Sequence, residues 1–188
     1  MTGIILSGGK NSRMGKNKAF LELDGERLID RTVKIFKEVF LEVILVTNSP
    51  LEYLDQDVTI VTDLIPGKGA IGGIYTGLFY SSSSHALVAP CDMPFLSRPF
   101  IEYMIEAAKT YDIIVPETKD GFEPLHAVYS RHCLPEIRKL MDAGDLKIKG
   151  LYKKCRILKM KEEQIRCFDP ELKMFINLNS PEDFRKIS

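Results

Sequence analysis

The chain has 188 residues, 45% of them hydrophobic and 28% charged, which suits one domain spanning 1–188 with a real core. Its 26 basic and 26 acidic residues cancel; no general polyanion binding is implied, nucleic acid is not an expected partner, and local charge must carry any functional reading. No apolar run reaches the roughly eighteen residues of a membrane span, and a strand pattern stands where a signal peptide would begin, so no membrane association and a cytoplasmic location are expected.

Gly3–Leu6 reads as the first buried strand, and Leu6-Ser7-Gly8-Gly9-Lys10-Asn11-Ser12-Arg13-Met14-Gly15-Lys16-Asn17-Lys18 follows it. The glycines free the backbone to turn N–H groups toward an anion, and four cations without an acid supply charge. The spacing is not that of a Walker loop, because Gly9 and Gly15 enclose five residues and Asn17, not Ser or Thr, follows Lys16. Leu28, Ile29, Thr32, Val33, Phe36, Val39 and Phe40 then form a helical stripe, with charged residues opposite. Val43–Thr47 and Thr59–Val61 read as strands, ending beside Asn48 and Asp63.

Pro66-Gly67-Lys68-Gly69-Ala70-Ile71-Gly72-Gly73 contains G-x-G-x-x-G with Asp92 about 20 residues on, the spacing of a dinucleotide fingerprint. Leu64-Ile65-Pro66 separates these glycines from the preceding strand, which weighs against an NAD-binding reading, and that reading leaves residues 8–18 unexplained. Ala86–Ala89 is the next strand. It ends at Pro90-Cys91-Asp92-Met93-Pro94, where two prolines hold a carboxylate away from helix, a placement suited to Mg²⁺. Ser97 caps a second helical stripe through Phe100, Tyr103, Met104, Ala107 and Ala108.

Ile113–Val115 is a further strand; Lys119-Asp120-Gly121 reads as a hairpin turn and Leu125–Tyr129 as an antiparallel strand, which together predict a small flap. Lys147 to Lys161 holds seven cations and no acid, either a solvated face or a phosphate-receiving one. Asn177 and Asn179 share one side of an extended segment before Ser180, Pro181 and Asp183 open a helix. Cys91, Cys133, Cys155 and Cys167 lack a C-x-x-C pair and His85, His126 and His132 lack helical pairing, so neither zinc nor disulfides are expected.

Strands alternating with helices predict an α/β fold, a Rossmann-like doubly wound and mostly parallel sheet with helices on both faces and a small antiparallel flap in the C-terminal half. The loops after the strands then share one rim.

The opening segment resembles the Leu-X-Gly-Gly-X-X-X-Arg-Met-Gly-X-X-Lys signature of nucleotidyltransferases. Together with Pro-Cys-Asp-X-Pro and the closing Asn-X-Asn-X-Pro-Glu-Asp, in that order over nearly the whole chain, it resembles the molybdenum cofactor guanylyltransferases. The resemblance implies transfer of GMP from Mg-GTP to the terminal phosphate of molybdopterin or its molybdenum form, with pyrophosphate released. By position it implies nucleotide contacts at Leu6, Ser7, Gly8, Gly9, Arg13, Lys18, Asn48, Asp63, Gly72 and Asp92, catalytic roles for Arg13, Lys18 and Asp92, and Mg²⁺ on Asp92. It places the acceptor at Asn177, Asn179 and Lys147, so that 1–116 serves the nucleotide and 117–188 the acceptor. Cofactor-biosynthesis and molybdoenzyme-maturation proteins are the protein partners it suggests. Asn17 stands where an Asp often precedes the last lysine. Cytidylyl and sugar-phosphate transferases are the alternatives within the superfamily; the Gly8-Gly9 pair resembles the guanine form. A nucleotide-binding adaptor without turnover is the alternative outside it.

Overall fold

The structure is a computed structural model and describes residues 1–8 and 17–178. In chain order the strands are β1 (Thr2–Leu6), β2 (Glu22–Leu23), β3 (Glu26–Arg27), β4 (Glu42–Val46), β5 (Thr59–Val61), β6 (His85–Pro90), β7 (Ile113–Thr118), β8 (Gly121–Phe122), β9 (Ala127–Ser130) and β10 (Ile157–Lys161). The α-helices are α1 (Leu28–Val39), α2 (Gly69–Tyr80), α3 (Arg98–Ala107), α4 (Leu134–Asp142) and α5 (Glu162–Ile165). The main sheet runs β10-β7-β9-β6-β1-β4-β5, with β8 on β7, and β2 and β3 pair separately. Only β8 and β9 oppose the common direction of the main sheet.

Alternation along the strands divides the core between two faces. Ile5, Leu45, Leu87 and Ile114 pack with Ile29, Val33 and Phe36 of α1 and Phe100, Ile101 and Met104 of α3. Ile4, Leu6, Ile44, Val88 and Ile113 pack with Ile71, Ile74 and Leu78 of α2 and Ile137 and Met141 of α4. Side chains that point to opposite faces of each strand thus meet helices on both sides of the sheet. Ser97 opens α3 as the sequence suggests, its Oγ accepting the Phe100 N–H at 3.4 Å.

Two glycines decide how closely helices approach β1. A Cβ on Gly3 would lie 2.5 Å from both Phe36 and Phe40, and one on Gly77 of α2 would lie 2.6 Å from Ile4 Cγ2. The missing side chains let both helix layers sit down on the strand that leads to the site.

The C-terminal half differs in detail from the pattern read in sequence. The hairpin turn at Lys119-Asp120 joins β7 to the short β8. The following strand, β9, lies not in a flap but inside the main sheet between β6 and β7, with all four residues buried. The end of the basic run is the edge strand β10, parallel to β7, where lysines on the exposed positions protect an open edge. Among the described residues no helix is long and apolar enough to cross a membrane.

Candidate active site

The carboxyl ends of β1, β4, β5 and β6 lie side by side, and main-chain bonds continue past them. Ser7 N–H donates to Val46 O at 2.9 Å, Cys91 N–H to Leu6 O at 3.1 Å, and Thr47 N–H to Val61 O at 2.9 Å. Leu6, Ser7 and Gly8 therefore leave the sheet between the loops carrying Asn48 and Asp92. In a parallel sheet this rim is where ligands bind. Gly9 and Arg13 lie outside the described residues, as does Asn179.

Asn48 and Asp63, 15 residues apart, form a reciprocal pair. Asn48 Nδ2 donates to Asp63 Oδ2 at 2.8 Å, and the Asp63 N–H donates to Asn48 Oδ1 at 3.3 Å. Asp63 Oδ1 is buried without a hydrogen-bond partner, an acceptor whose orientation Asn48 sets.

Asp92 follows β6. Burial holds its carboxyl above the ordinary carboxylate range, opposed by the positive charge of Lys18. The cation that ends the opening motif and the carboxylate that ends β6 are thus electrostatic neighbours. Leu178 N–H donates to the Asp92 carbonyl at 3.0 Å, which brings Asn177 to the same place. That C-terminal segment is anchored by fully buried Met174 and Leu178. Phe175 sets its ring edge-on to His126 at 5.3 Å and to Phe100 at 6.4 Å.

Gly72 and Lys147 stand differently. Gly72 is buried at the start of α2, where a Cβ would come within 2.8 Å of Lys68 Cβ, so its small size accommodates its own loop. Lys68 itself turns away to donate to the Met141 carbonyl of α4 at 2.9 Å. Lys147 is exposed, and its N–H is held by Asp145 Oδ1 at 3.1 Å. Of the basic run, Lys149 and Lys159 lie 5.6 and 4.8 Å from the Phe122 ring centre, while Arg156 pairs with Asp112. Lys159 also pairs with Glu117 at 3.1 Å. The run is divided between a strand edge and an aromatic contact, a division that composition does not reveal.

Several residues at the rim carry no sequence signal. Glu123, just before β9, has a half-buried carboxyl raised by burial and by Asp120. Tyr53, at the end of the 3-10 turn Pro50–Tyr53, is fully buried, and its hydroxyl lies 2.5 Å from Ser7 Oγ and 2.8 Å from Asn17 Nδ2. Its contacts are made over 46 and 36 residues of sequence, beyond the reach of any spacing rule.

A glycine-rich sequence following the first strand, an aligned Asn–Asp pair at the neighbouring loops and a carboxylate within electrostatic reach of a lysine point to the class: an α/β nucleotidyltransferase. The comparisons agree. The family model of the MobA-like NTP transferase domain matches residues 3–161. The chain is 40% identical to a molybdenum cofactor guanylyltransferase of Desulfosudis oleivorans, over 99% of this chain and 93% of that protein. It is 37% identical to a probable molybdenum cofactor guanylyltransferase of Pelotomaculum thermopropionicum, over 98% and 90%. A solved structure titled molybdopterin-guanine dinucleotide biosynthesis protein A, from Archaeoglobus fulgidus, superposes with a TM-score of 0.86 at 29% identity, covering 99% and 96%. The chain belongs to the MobA-like NTP transferase family.

Proposed function

We propose that this protein transfers GMP from GTP to the terminal phosphate of molybdopterin or its molybdenum form. The observation that carries the reading is the convergence on one rim of the Leu6–Gly8 stem, the Asn48–Asp63 pair with its unpartnered acceptor, and Asp92 in the field of Lys18. Near full-length similarity to proteins named for guanylyl transfer supports the choice of nucleotide.

An acceptor phosphate oxygen attacks the α-phosphorus, a P–O bond forms, and the bond to the β-phosphate breaks to release pyrophosphate. No protein nucleophile takes part. Lys18 offsets charge on the phosphates, and Arg13, assigned from the sequence, provides a forked grip on their oxygens. Asp63 Oδ1 accepts from the nucleoside, with Asn48 fixing its orientation. Asn177, held beside Asp92 by the Leu178 bond, is assigned to the acceptor; Asn179 and Lys147 are assigned to it from the sequence alone.

The donor chemistry at Asp92 fits magnesium: a hard carboxylate oxygen, which a small cation combines with phosphate oxygens and water. When bound, the ion would withdraw charge from the phosphates. Among the described residues no cluster of three His, Cys, Asp or Glu side chains could hold a metal by protein ligands alone, and a nucleotide-bridged ion needs none. GTP is a cytoplasmic nucleotide, so the reaction is assigned to the cytoplasm.

The test is thermal stabilisation and product analysis with GTP, CTP, ATP and NAD at equal concentration with Mg²⁺. A ligand bound only to the folded state raises stability by mass action. GTP is expected to protect best and to yield a guanylylated pterin. Equal or better protection by CTP would favour the cytidylyl reaction, and protection by NAD alone would return the glycines at 67–72 to a dinucleotide role.

A further inference from the structure

Ser7 and Asn17 stand on either side of the glycine- and cation-rich motif, and one buried hydroxyl joins them. The Tyr53 ring is fully buried, 4.9 Å from the Phe20 ring centre. Its hydroxyl accepts from Asn17 Nδ2 at 2.8 Å and lies 2.5 Å from Ser7 Oγ. Because Asn17 donates, the phenol proton is free for Ser7. Ser7 Oγ also accepts from Cys91 Sγ at 3.2 Å, and Ser7 N–H is fixed to Val46 O at 2.9 Å. One end of the tie is therefore welded into the sheet.

The other end is equally determined. Asn17 uses every polar atom of its side chain: one N–H goes to Tyr53, the second to Glu52 Oε2 at 2.7 Å, and Oδ1 accepts the Ala19 N–H at 3.1 Å. That last bond caps the 3-10 turn Lys18–Phe20, so Asn17 fixes the backbone from which Lys18 projects. An aspartate could accept from Ala19 but could donate to neither Tyr53 nor Glu52, and it would set two carboxylates face to face. Burial raises the Tyr53 phenol above its ordinary range, so it remains a neutral donor.

We infer that Tyr53 is a positioning residue of the nucleotide site. Through Asn17 it fixes the start of the turn carrying Lys18, and through Ser7 it ties that turn to the end of β1 beside Asp92. The role rests on the proposed use of this rim for GTP. It assigns Glu52 a part as well, as the acceptor that keeps the Asn17 amide in its donating orientation.

The experiment measures equilibrium GTP binding, the KM values for GTP and acceptor, kcat and melting temperature. The proteins are wild type, Tyr53→Phe, Asn17→Asp, Glu52→Gln and the double variant that combines Asn17→Asp with Glu52→Gln. Tyr53→Phe keeps the ring and removes the tie; it is expected to weaken GTP binding and raise the GTP KM about tenfold, the equivalent of one charge-assisted or buried hydrogen bond. The acceptor KM and kcat are expected to move less. A purely structural hydroxyl would lower the melting temperature and leave GTP affinity of the folded protein unchanged. Asn17→Asp is expected to impair GTP binding. Glu52→Gln alone replaces the charged acceptor of the Asn17 amide by a weaker neutral one and is expected to reduce GTP binding, less than Tyr53→Phe does; in the Asn17→Asp background it is expected to restore binding, since the new amide can donate to the new carboxylate and Tyr53 can reverse its bond. If Tyr53→Phe binds GTP as wild type does, or if Glu52→Gln has the same effect in both backgrounds, the positioning role is overturned while the nucleotide assignment stands. Wild-type protein that binds no guanine nucleotide overturns both.

Discussion

Lys18 and Asp92 lie 74 positions apart in sequence and interact electrostatically as opposite charges. Their contributions differ in kind. Lys18 is assigned to phosphate in the proposed reaction and is not part of the hydrophobic core, so Lys18→Ala is expected to lower turnover about 10²–10³-fold while the melting temperature stays near wild type. Normal turnover in that variant, measured by pyrophosphate release, would remove the lysine from the reaction. Asp92 carries the carboxylate assigned to magnesium. Asp92→Asn preserves shape and removes the charge, and is expected to weaken the magnesium dependence of turnover far more than metal-free nucleotide binding. Because burial raises the Asp92 carboxyl, protons compete for it more readily than for an exposed aspartate. Lowering the pH through the acid range should therefore weaken apparent magnesium affinity in wild type and leave the variant's residual dependence flat; identical profiles would separate Asp92 from the metal.

At the scale of elements, β1 is the strand on which both helix layers rest. Gly77 lies in the middle of α2, where alanine is favoured over glycine by roughly 0.5–1 kcal/mol on backbone grounds alone. The added Cβ would stand 2.6 Å from Ile4 Cγ2 and 2.7 Å from its Cδ1, in a core where Ile4 is wholly buried. Overpacking of this kind costs about 1–3 kcal/mol, so contact outweighs propensity and Gly77→Ala is expected to destabilise. Calorimetric or denaturant unfolding would decide the sign. A more stable variant would mean that α2 can move off β1 without cost. The same packing makes the site rigid, since β1 delivers Leu6, Ser7 and Gly8 to the rim and Leu6 itself sits 3.1 Å from where a Gly73 Cβ would lie.

For the whole molecule, His126 links the sheet to the C-terminal segment. It is fully buried, and the rings of Phe100 and Phe175 flank it. Burial depresses its pKa from 6.5 to about 4, outweighing a hydrogen bond to the Met174 backbone that favours the charged form. The unfolded chain therefore binds a proton that the folded one refuses. Stability associated with neutral His126 is fully present above pH 6.5 and declines as pH falls toward about 4, where the folded form is protonated too. Over that window the loss amounts to about 3 kcal/mol. The slope of unfolding free energy against pH should be shallower by about one proton in His126→Phe, whatever its absolute stability. Parallel slopes would show that the imidazole is protonated in the native state.

Local chemistry made much of this protein readable from its residues. Short Val- and Ile-rich runs became β1, β4, β5, β6 and β7, and the 3.6-residue stripes became α1 and α3, because buried faces demand those periods. The order of the glycine-rich, Pro-Cys-Asp and Asn-X-Asn segments already marked the family, and ends of parallel strands already pointed to one rim. The strand from Ala127 could be recognised by its alternation but not its neighbours: its insertion between β6 and β7 is a matter of long-range pairing. The lysines at 159 and 161 looked like part of one basic patch because charge alone does not distinguish a strand edge from a phosphate site. The pairing of Asn48 with Asp63, the neighbourhood of Lys18 and Asp92, and the Ser7–Tyr53–Asn17 tie belong wholly to tertiary structure. Residue identity determines which groups can donate, accept or carry charge, whereas their partners across tens of residues are chosen by strand order and by the packing that brings distant loops within hydrogen-bonding distance.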